Sequence, residues 1–208
     1  MSLKRLAVTA VLMVIALAVS ATAQRNEVAG LIGRTFISDQ GIPGATFQQN
    51  FISSGNGLTI VGDFARRFRE RGILSLSVEV PFAFNPDEDL QTGANLIPSQ
   101  YSSFFVTPSA RFNLFSQSVL SPFLSVGGGY GRFNESKTLN QGTPNPGKTG
   151  TNTGVFQIGT GFEVRVKKTI GVRLDIRDFW SGVPQLNVDT GKSRQHNFFV
   201  GGGFVFHF

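Results

Sequence analysis

The stretch NFFVGGGFVFHF, residues 197–208, decides the fold. One face carries Phe198, Val200, Gly202, Phe204, Phe206 and Phe208, and the other carries the glycine-rich remainder, including His207. Strict alternation over such a length is typical of a β-strand with two unlike faces. The segment therefore predicts a strand with one apolar face and one glycine-rich, weakly polar face.

The same alternation recurs along the chain. In residues 170–177, an Ile, Val, Leu, Ile face opposes a Gly, Arg, Asp, Arg face. Helical periodicity is absent from every window after Gln24. The pattern predicts eight strands, at residues 27–36, 58–68, 73–82, 103–114, 121–133, 154–166, 169–180 and 196–208.

The connections between these strands alternate in length. Short turns follow the second, fourth and sixth strands. Long segments rich in Gly, Asn, Ser, Pro and Gln follow the others, at residues 37–57, 83–102, 134–153 and 181–195. This alternation is built into an up-and-down barrel in an outer membrane, with loops outside and tight turns in the periplasm. We predict an all-β, eight-stranded antiparallel up-and-down transmembrane β-barrel with four long, mobile extracellular loops.

The two faces of each strand must meet different surroundings. A strand of about 11 residues tilted by about 45° rises about 26 Å, close to the apolar band of a membrane barrel. Periodicity alone also allows a soluble periplasmic lipocalin-like binder, whose apolar face points inward. The apolar rows are nearly free of charge and the opposite rows are rich in Gly and Ser, which favours lipid outside and a narrow lumen inside.

The N-terminus has the features of an export signal. Lys4 and Arg5 precede an apolar run at 6–19 and the small-residue sequence Ala21-Thr22-Ala23. We predict a cleaved signal peptide at 1–23 and one barrel domain at 24–208. A retained membrane helix is the weaker interpretation, because it needs about 20 apolar residues.

Composition narrows the function classes. The chain has 208 residues, 40% of them apolar and 15% charged, which excludes intrinsic disorder. Without cysteine it has no disulfides, thiolate metal sites or thiol catalysis. Without Lys4 and Arg5, 17 basic and 13 acidic residues remain, and export makes nucleic acid an improbable partner.

Charged residues recur on the predicted inner faces. A lumen of eight strands is only wide enough for side chains to fill it, and buried charges must be paired. We predict an interior charge network that plugs the barrel; a narrow passive channel for ions or small solutes is the alternative. The predicted members are Asp63, Arg67, Glu79, Arg111, Glu163, Arg165, Arg173, Asp175 and Arg177.

Catalytic patterns are sparse. His207 is expected to be structural, and His196 lies near Ser193 with Asp178 or Asp189 as possible acidic partners for a lipid hydrolase. No spacing fixes that geometry, so we predict no enzyme activity, no cofactor and no metal site.

Two arginines, Arg34 and Arg132, fall at the outer ends of apolar rows, and Lys137 lies just beyond the second. Arg34, Arg132 and Lys137 are candidate contacts for lipopolysaccharide, since guanidinium groups pair strongly with phosphates. Ordinary snorkelling into the headgroups is the competing explanation and requires no specific partner.

Over its whole mature length the chain resembles the small eight-stranded OmpA/OmpX-like outer membrane β-barrels. The resemblance is carried by Ala21-Thr22-Ala23, by PFLSVGGGYG at 122–131 and by the ending FVFHF at 204–208. It implies a monomer in a Gram-negative outer membrane, with a structural or surface-interaction role. It also implies that Phe204, Phe206 and Phe208 form a signal for the barrel assembly machinery. Tyr and Trp girdles are nearly absent, with Tyr130 and Trp180 the best candidates, so Phe takes their place.

Overall fold

The computed structural model describes residues 25–44, 51–55, 57–92 and 96–208, and the predicted signal peptide at 1–23 lies outside them. The described residues contain no helix long and apolar enough to cross a membrane. Their regular structure is eleven strands: β1 (Asn26–Ile37), β2 (Gln40–Gly41), β3 (Phe51–Ser54), β4 (Gly57–Arg71), β5 (Leu74–Thr92), β6 (Gln100–Val106), β7 (Ser109–Leu114), β8 (Leu120–Glu135), β9 (Thr151–Lys167), β10 (Ile170–Ser181) and β11 (Gln195–His207).

The long strands form a closed antiparallel ring. β1 pairs with β4 on one side and with β11 on the other, so that Ile32 lies opposite both Ile60 and Gly202. The other neighbours pair in chain order. β6 and β7 together occupy one strand position of the ring, between β5 and β8. The predicted eight-stranded up-and-down barrel is confirmed.

The barrel has two unlike ends. The turn end carries the short connections at 72–73, 115–119 and 168–169. It also holds both barrel termini, where Asn26 and Phe208 exchange backbone hydrogen bonds of 3.0 and 2.9 Å. The loop end carries the long connections.

The predicted strand at 103–114 is interrupted. β6 ends at Val106 and β7 begins at Ser109, because Pro108 has no N–H to give to the ladder. Thr107 still donates its N–H to Pro81 O at 3.3 Å, and Gly128 donates to Pro108 O at 3.2 Å. These two bonds keep the wall continuous across the break.

Apolar side chains cover the outside of the ring. Rows such as Phe198 and Val200 on β11 and Leu174 and Ile176 on β10 are exposed, as predicted. On β5 the row runs from Leu74 to Phe84, a rise of about 24 Å for a strand tilted by about 45°. We call this surface the apolar band; its position on the outside is the reverse of the soluble lipocalin-like arrangement.

The strands continue beyond the apolar band at the loop end. β5 extends to Thr92 and β8 to Glu135, and β9 already begins at Thr151. The predicted loops at 83–102 and 134–153 are therefore shorter than expected. Outward residues on this part of β5 are Asp87 and Asp89, so the extension lies above the band.

The described parts of the loops pack together into what we call the cap, residues 38–44, 51–55, 86–92, 96–100, 136–150 and 182–194. It buries Ile52, Ile97, Leu139 and Leu186. Backbone and side-chain bonds join different loops: Ser99 N to Thr138 O at 3.1 Å, Asn187 Nδ2 to Leu96 O at 3.0 Å, and Lys192 Nζ to Asp39 O at 3.2 Å. The described parts of the loops therefore contact one another, and Ile52, Ile97 and Leu186 from three different loops belong to one buried cluster.

An apolar layer crosses the lumen on the loop side of its middle, and buried polar residues such as Thr35, Thr59 and Asn197 lie between this layer and the loop end. Phe105 stacks on Phe179 with centroids 5.3 Å apart and meets Phe133 edge-on at 5.8 Å. A Cβ on Gly131 would lie 2.7 Å from the Phe105 ring, so glycine makes room for this packing. We call this the apolar layer: Leu31, Val61, Ala83, Phe105, Phe133, Val155, Phe179 and Phe199.

Candidate functional site: the charged layer of the lumen

The half of the lumen nearer the turn end is charged. Three arginines, five carboxylates and one histidine face one another there, each at most 5% exposed. Seven strands supply them, because every second residue of each strand points inward. We call this group the charged layer: Glu27, Asp63, Glu79, Arg111, Glu163, Arg173, Asp175, Arg177 and His207.

Arg177 bridges the barrel from β10. Its Nε and Nη2 donate to the two oxygens of Asp175, each at 2.9 Å, and Nη1 donates to Glu79 Oε1 on β5 at 2.8 Å. Nη2 also lies 3.5 Å from Asp63 Oδ2. A Cβ on Gly159 would lie 2.9 Å from Cγ of Arg177, so the neighbouring strand leaves space for the side chain.

Arg173 gathers three carboxylates at the turn end of the lumen. Nη1 donates to Asp63 at 3.0 Å, and Nη2 donates to both Glu27 and Glu163 at 3.1 Å. His207 Nε2 lies 2.7 Å from the second oxygen of Glu163. These contacts join β1, β4, β9, β10 and β11.

Arg111 completes the network from β7. Its Nη2 pairs with Glu27, and its Nη1 donates to Glu79 Oε2 at 3.3 Å. The centre of the Phe123 ring is 5.6 Å from Cζ of Arg111 and 5.3 Å from Cζ of Arg173, so the ring contacts both guanidinium groups. Such cation–π contacts are strongest where water is excluded.

The network fixes strand positions by linking distant strands. Each arginine bridges at least two carboxylates, and removing one member leaves a buried charge uncompensated. Five carboxylates face three guanidinium groups, so the layer carries a formal charge of −2 when His207 is neutral.

The structure brings together seven of the nine residues predicted for this network. Arg67 and Arg165 lie elsewhere. Arg67 pairs with Glu70 at 3.4 Å at the turn end, where β4 contains a register shift. Arg165 donates to Ser116 O at 3.0 Å in a neighbouring turn. Both residues lie opposite inward positions of the neighbouring strand, Ser77 and Gly171, but at the strand ends, where their side chains reach turn residues instead of the lumen.

Sequence reasoning missed Glu27 and left His207 out of the network. Both stand one position from an outward residue, next to Val28 and Phe208. The predicted strands at 27–36 and 196–208 already include both residues on the inward face, so the alternation itself was enough to place them in the lumen. Their ligand atoms, with those of Glu163, lie within 4.8 Å of one another. Arg173 already donates to both glutamates, so we assign no metal to this group.

The candidates for hydrolysis lie outside the lumen. His196 Nδ1 is 2.6 Å from Asp178 Oδ2, on the outer face near the loop end, and the imidazole stacks on Trp180 at 6.2 Å. Asp189 instead accepts the N–H of Gly191 at 2.7 Å in the cap, where Ser193 is exposed.

The basic residues predicted to contact lipopolysaccharide do not form one site. Arg34 lies on β1, between Leu58 and Val200 of the neighbouring strands. Arg132 lies on β8, which is four strand positions from β1 in a ring of eight. The two guanidinium groups are therefore on opposite sides of the barrel. Lys137 follows Arg132 into the cap and is exposed.

The three phenylalanines of the predicted assembly signal point outward at the turn end. Phe204, Phe206 and Phe208 are all exposed. They continue the apolar band along β11 to its last residues.

A closed eight-stranded barrel with an apolar outer band and a packed lumen defines a class: the small outer-membrane β-barrels. Two solved structures share the fold. OprG of Pseudomonas aeruginosa has a TM-score of 0.55 at 10% identity, over 89% of this chain and 96% of OprG. Neisserial surface protein A has a TM-score of 0.51 at 14% identity, over 89% of this chain and 98% of its own.

Ail of Yersinia pestis also matches, with a TM-score of 0.45 at 11% identity over 88% of this chain and 99% of Ail. No protein-family model matches the sequence. No curated protein matches it either. The resemblance to small eight-stranded outer membrane barrels is thus confirmed at the level of fold.

Proposed function

We propose that this chain is an integral protein of the outer membrane. Residues 1–23 direct its export and are then cleaved, and the plugged barrel holds the cap rigidly at the cell surface. In this orientation the turn end faces the periplasm and the loop end faces the exterior. One observation carries the proposal: Arg111, Arg173 and Arg177 are at most 1% exposed and cross the lumen to carboxylates of other strands.

The plug has two parts in series. An ion moving along the barrel axis has to separate buried ion pairs in the charged layer and then cross the aromatic side chains of the apolar layer. Both steps are unfavourable, because unpaired charges and dry apolar passages are costly for an ion. The rival function, a narrow passive channel, requires a continuous path of water through both layers.

The cap is the surface on which we place the interaction role. Its four loops share a buried core and are linked by hydrogen bonds, so its exposed residues hold fixed relative positions. Binding residues on a rigid scaffold lose little conformational freedom when a partner binds. The proposal includes no catalytic step, no cofactor and a monomeric barrel, inserted by the barrel assembly machinery with Phe204, Phe206 and Phe208 as its signal.

Conductance separates the two functions. We expect the folded protein to show no unitary current steps in planar bilayers. Replacing both Phe105 and Phe179 with alanine is not expected to open a path, because the charged layer remains. Steady steps from the native protein, with a size that changes in Glu79→Gln, would establish the channel instead. Heat-modifiable gel migration checks that each sample is folded.

Lipopolysaccharide contact is a second proposal, carried by the outer face of β8. Arg132 donates from Nε to Asn134 Oδ1 at 2.8 Å, which orients the guanidinium, and Tyr130 Oη donates to Asn152 at 2.7 Å beside it. Arg34 makes a separate contact on the opposite side. We expect Arg132→Gln and Arg34→Gln each to weaken lipopolysaccharide binding, with additive losses in the double variant. Unchanged binding in the double variant would mean that the two arginines only extend into the headgroup region and do not bind lipopolysaccharide specifically.

A further inference from the structure

Charge is unevenly distributed along the barrel axis. Residues 25–208 carry 17 basic and 13 acidic residues. The charged layer and the loop end hold a small net negative charge, and the turn end holds eight basic residues and one acidic residue, Glu70. The basic residues of the turn end are Arg25, Arg66, Arg67, Arg69, Arg71, Arg165, Lys167 and Lys168. We call them the basic collar.

The basic collar lies directly next to the apolar band. Arg66 follows Phe64 in the outward row of β4 and lies opposite Val78 of β5. Phe68 and Ile73, in and just after the same strand end, are 61% and 56% exposed. Arginines interleaved with exposed apolar side chains at a band edge match the boundary between acyl chains and headgroups.

A bulge turns this edge into a pocket. Arg67 pairs with Ser77 and Arg69 pairs with Leu76, so Phe68 is an extra residue without an opposite partner. The result is a cavity of about 350 Å³ lined by Arg25, Arg67, Phe68, Arg69 and Glu70. Glu70 is engaged by Arg67 at 3.4 Å and by the Ser116 hydroxyl at 2.8 Å.

We propose that this pocket binds the phosphodiester headgroup of an anionic phospholipid, such as phosphatidylglycerol, in the membrane leaflet at the turn end. Arg25 and Arg69 hold the phosphate, since guanidinium groups bind phosphate oxygens in pairs. Phe68 lies among the upper acyl carbons and keeps the lipid against the wall. The inference depends on the barrel being in a membrane and not on whether the lumen conducts or what the cap binds.

A lipid fits this surface better than a soluble periplasmic polyanion. A soluble partner would leave the Phe68 and Ile73 side chains in water or facing its own polar groups. An anionic phospholipid satisfies both halves of the pocket at once, with its phosphate on the arginines and its chains on the apolar side chains. Basic residues at a membrane surface are attracted to anionic lipid in the same way.

Tryptophan fluorescence tests the proposal, because the chain has a single tryptophan. In a Trp180→Phe background, Phe68→Trp places the one fluorophore in the pocket. The folded protein is placed in two series of phosphatidylcholine vesicles, one with increasing mole fractions of brominated phosphatidylglycerol and one with the same mole fractions of brominated phosphatidylcholine. We expect the anionic lipid to reach half-maximal quenching at a mole fraction at least threefold lower, and high salt to reduce this preference.

The matched comparison removes two charges at each end of the barrel. Arg25→Gln with Arg69→Gln is expected to abolish the preference, and Lys148→Gln with Lys192→Gln in the cap is expected to keep it. If the pocket double variant fails to fold, Arg69→Gln alone must at least halve the preference. Equal quenching by both lipids, a preserved preference in the pocket variant, or its loss on adding soluble peptidoglycan fragments would each overturn the proposal.

Discussion

The two layers of the lumen both fill the narrow interior of the barrel, one with paired charged side chains and the other with apolar side chains. Both consist of inward residues, six strands supply residues to both, and both are nearly fully buried. The charged layer links its strands through directional bonds, whereas the apolar layer fills space with aromatic side chains. The contrast shows that inward alternation prescribes burial but not polarity.

The layers also differ in what a single change costs. A buried ion pair contributes little net stability compared with an apolar replacement, yet breaking it is expensive because one charge remains. An apolar side chain contributes in proportion to the surface it buries and the cavity that its removal leaves. We therefore expect a single substitution in the charged layer to cause a large loss in the free energy of unfolding. In the apolar layer, we expect the loss to grow with the volume that is removed.

The largest loss of stability is expected from Arg177→Met in the charged layer. It leaves Asp175 and Glu79 without their main partner, so we expect the free energy of unfolding to fall by about 3–5 kcal/mol. Urea titration in vesicles, followed by heat-modifiable gel migration, measures it. Adding Asp175→Asn and Glu79→Gln should restore a large part of the loss; an equally unstable triple variant would show that packing dominates instead.

A smaller change is expected from Phe105→Leu in the apolar layer. The leucine keeps an apolar contact with Phe133 and Phe179 but leaves a modest cavity, for an expected loss of about 1–2 kcal/mol in the same titration. A loss as large as that of Arg177→Met would remove the distinction between the layers.

The cap adds a pH-dependent contact above both layers. Glu88 lies beyond the apolar band and accepts hydrogen bonds from Asn85 at 2.8 Å and from Gly57 N at 3.1 Å. Burial raises the pKa of Glu88 from 4.5 to about 7, outweighing the lowering effect of these bonds. Since the folded cap holds the proton more tightly, its stability is full below about pH 4.5 and falls as pH rises through about 7.

Hydrogen exchange of β3 and the outer part of β5 measures this effect. We expect faster exchange at pH 8 than at pH 5, after correction for intrinsic rates. Glu88→Gln should remove most of the difference, because its amide cannot ionise. A pH dependence that is unchanged in this variant would assign it to other groups.

The smallest effect is expected at the exposed surface. Lys148→Gln in the cap should change the free energy of unfolding by less than about 0.5 kcal/mol, because an exposed charge is well solvated in both states. A larger change would mean that the cap couples to the barrel more tightly than its contacts indicate.

The sequence predicted the barrel more fully than the site. The alternation repeated in eight segments, of which those around Leu174 and Phe204 are the clearest, was sufficient to predict the eight strands and their outward rows. The interruption at Pro108 was visible as a proline within a strand pattern, and was missed because the alternation continues on both sides of it. The shared core of the loops left no periodic signal, since Ile52, Ile97 and Leu186 are far apart in sequence.

Periodicity by itself determined which residues share a face of each strand, because that depends only on the local pleat, and the composition of the two faces indicated which one meets lipid. Only the tertiary structure decided that Arg177 meets Glu79, that Glu27 joins Arg173, and that aromatic rings pack together in a layer on the loop side of these ion pairs. Those contacts join residues 98 and 146 positions apart in the two ion pairs. They depend on the register and closure of the whole ring, which no single strand encodes.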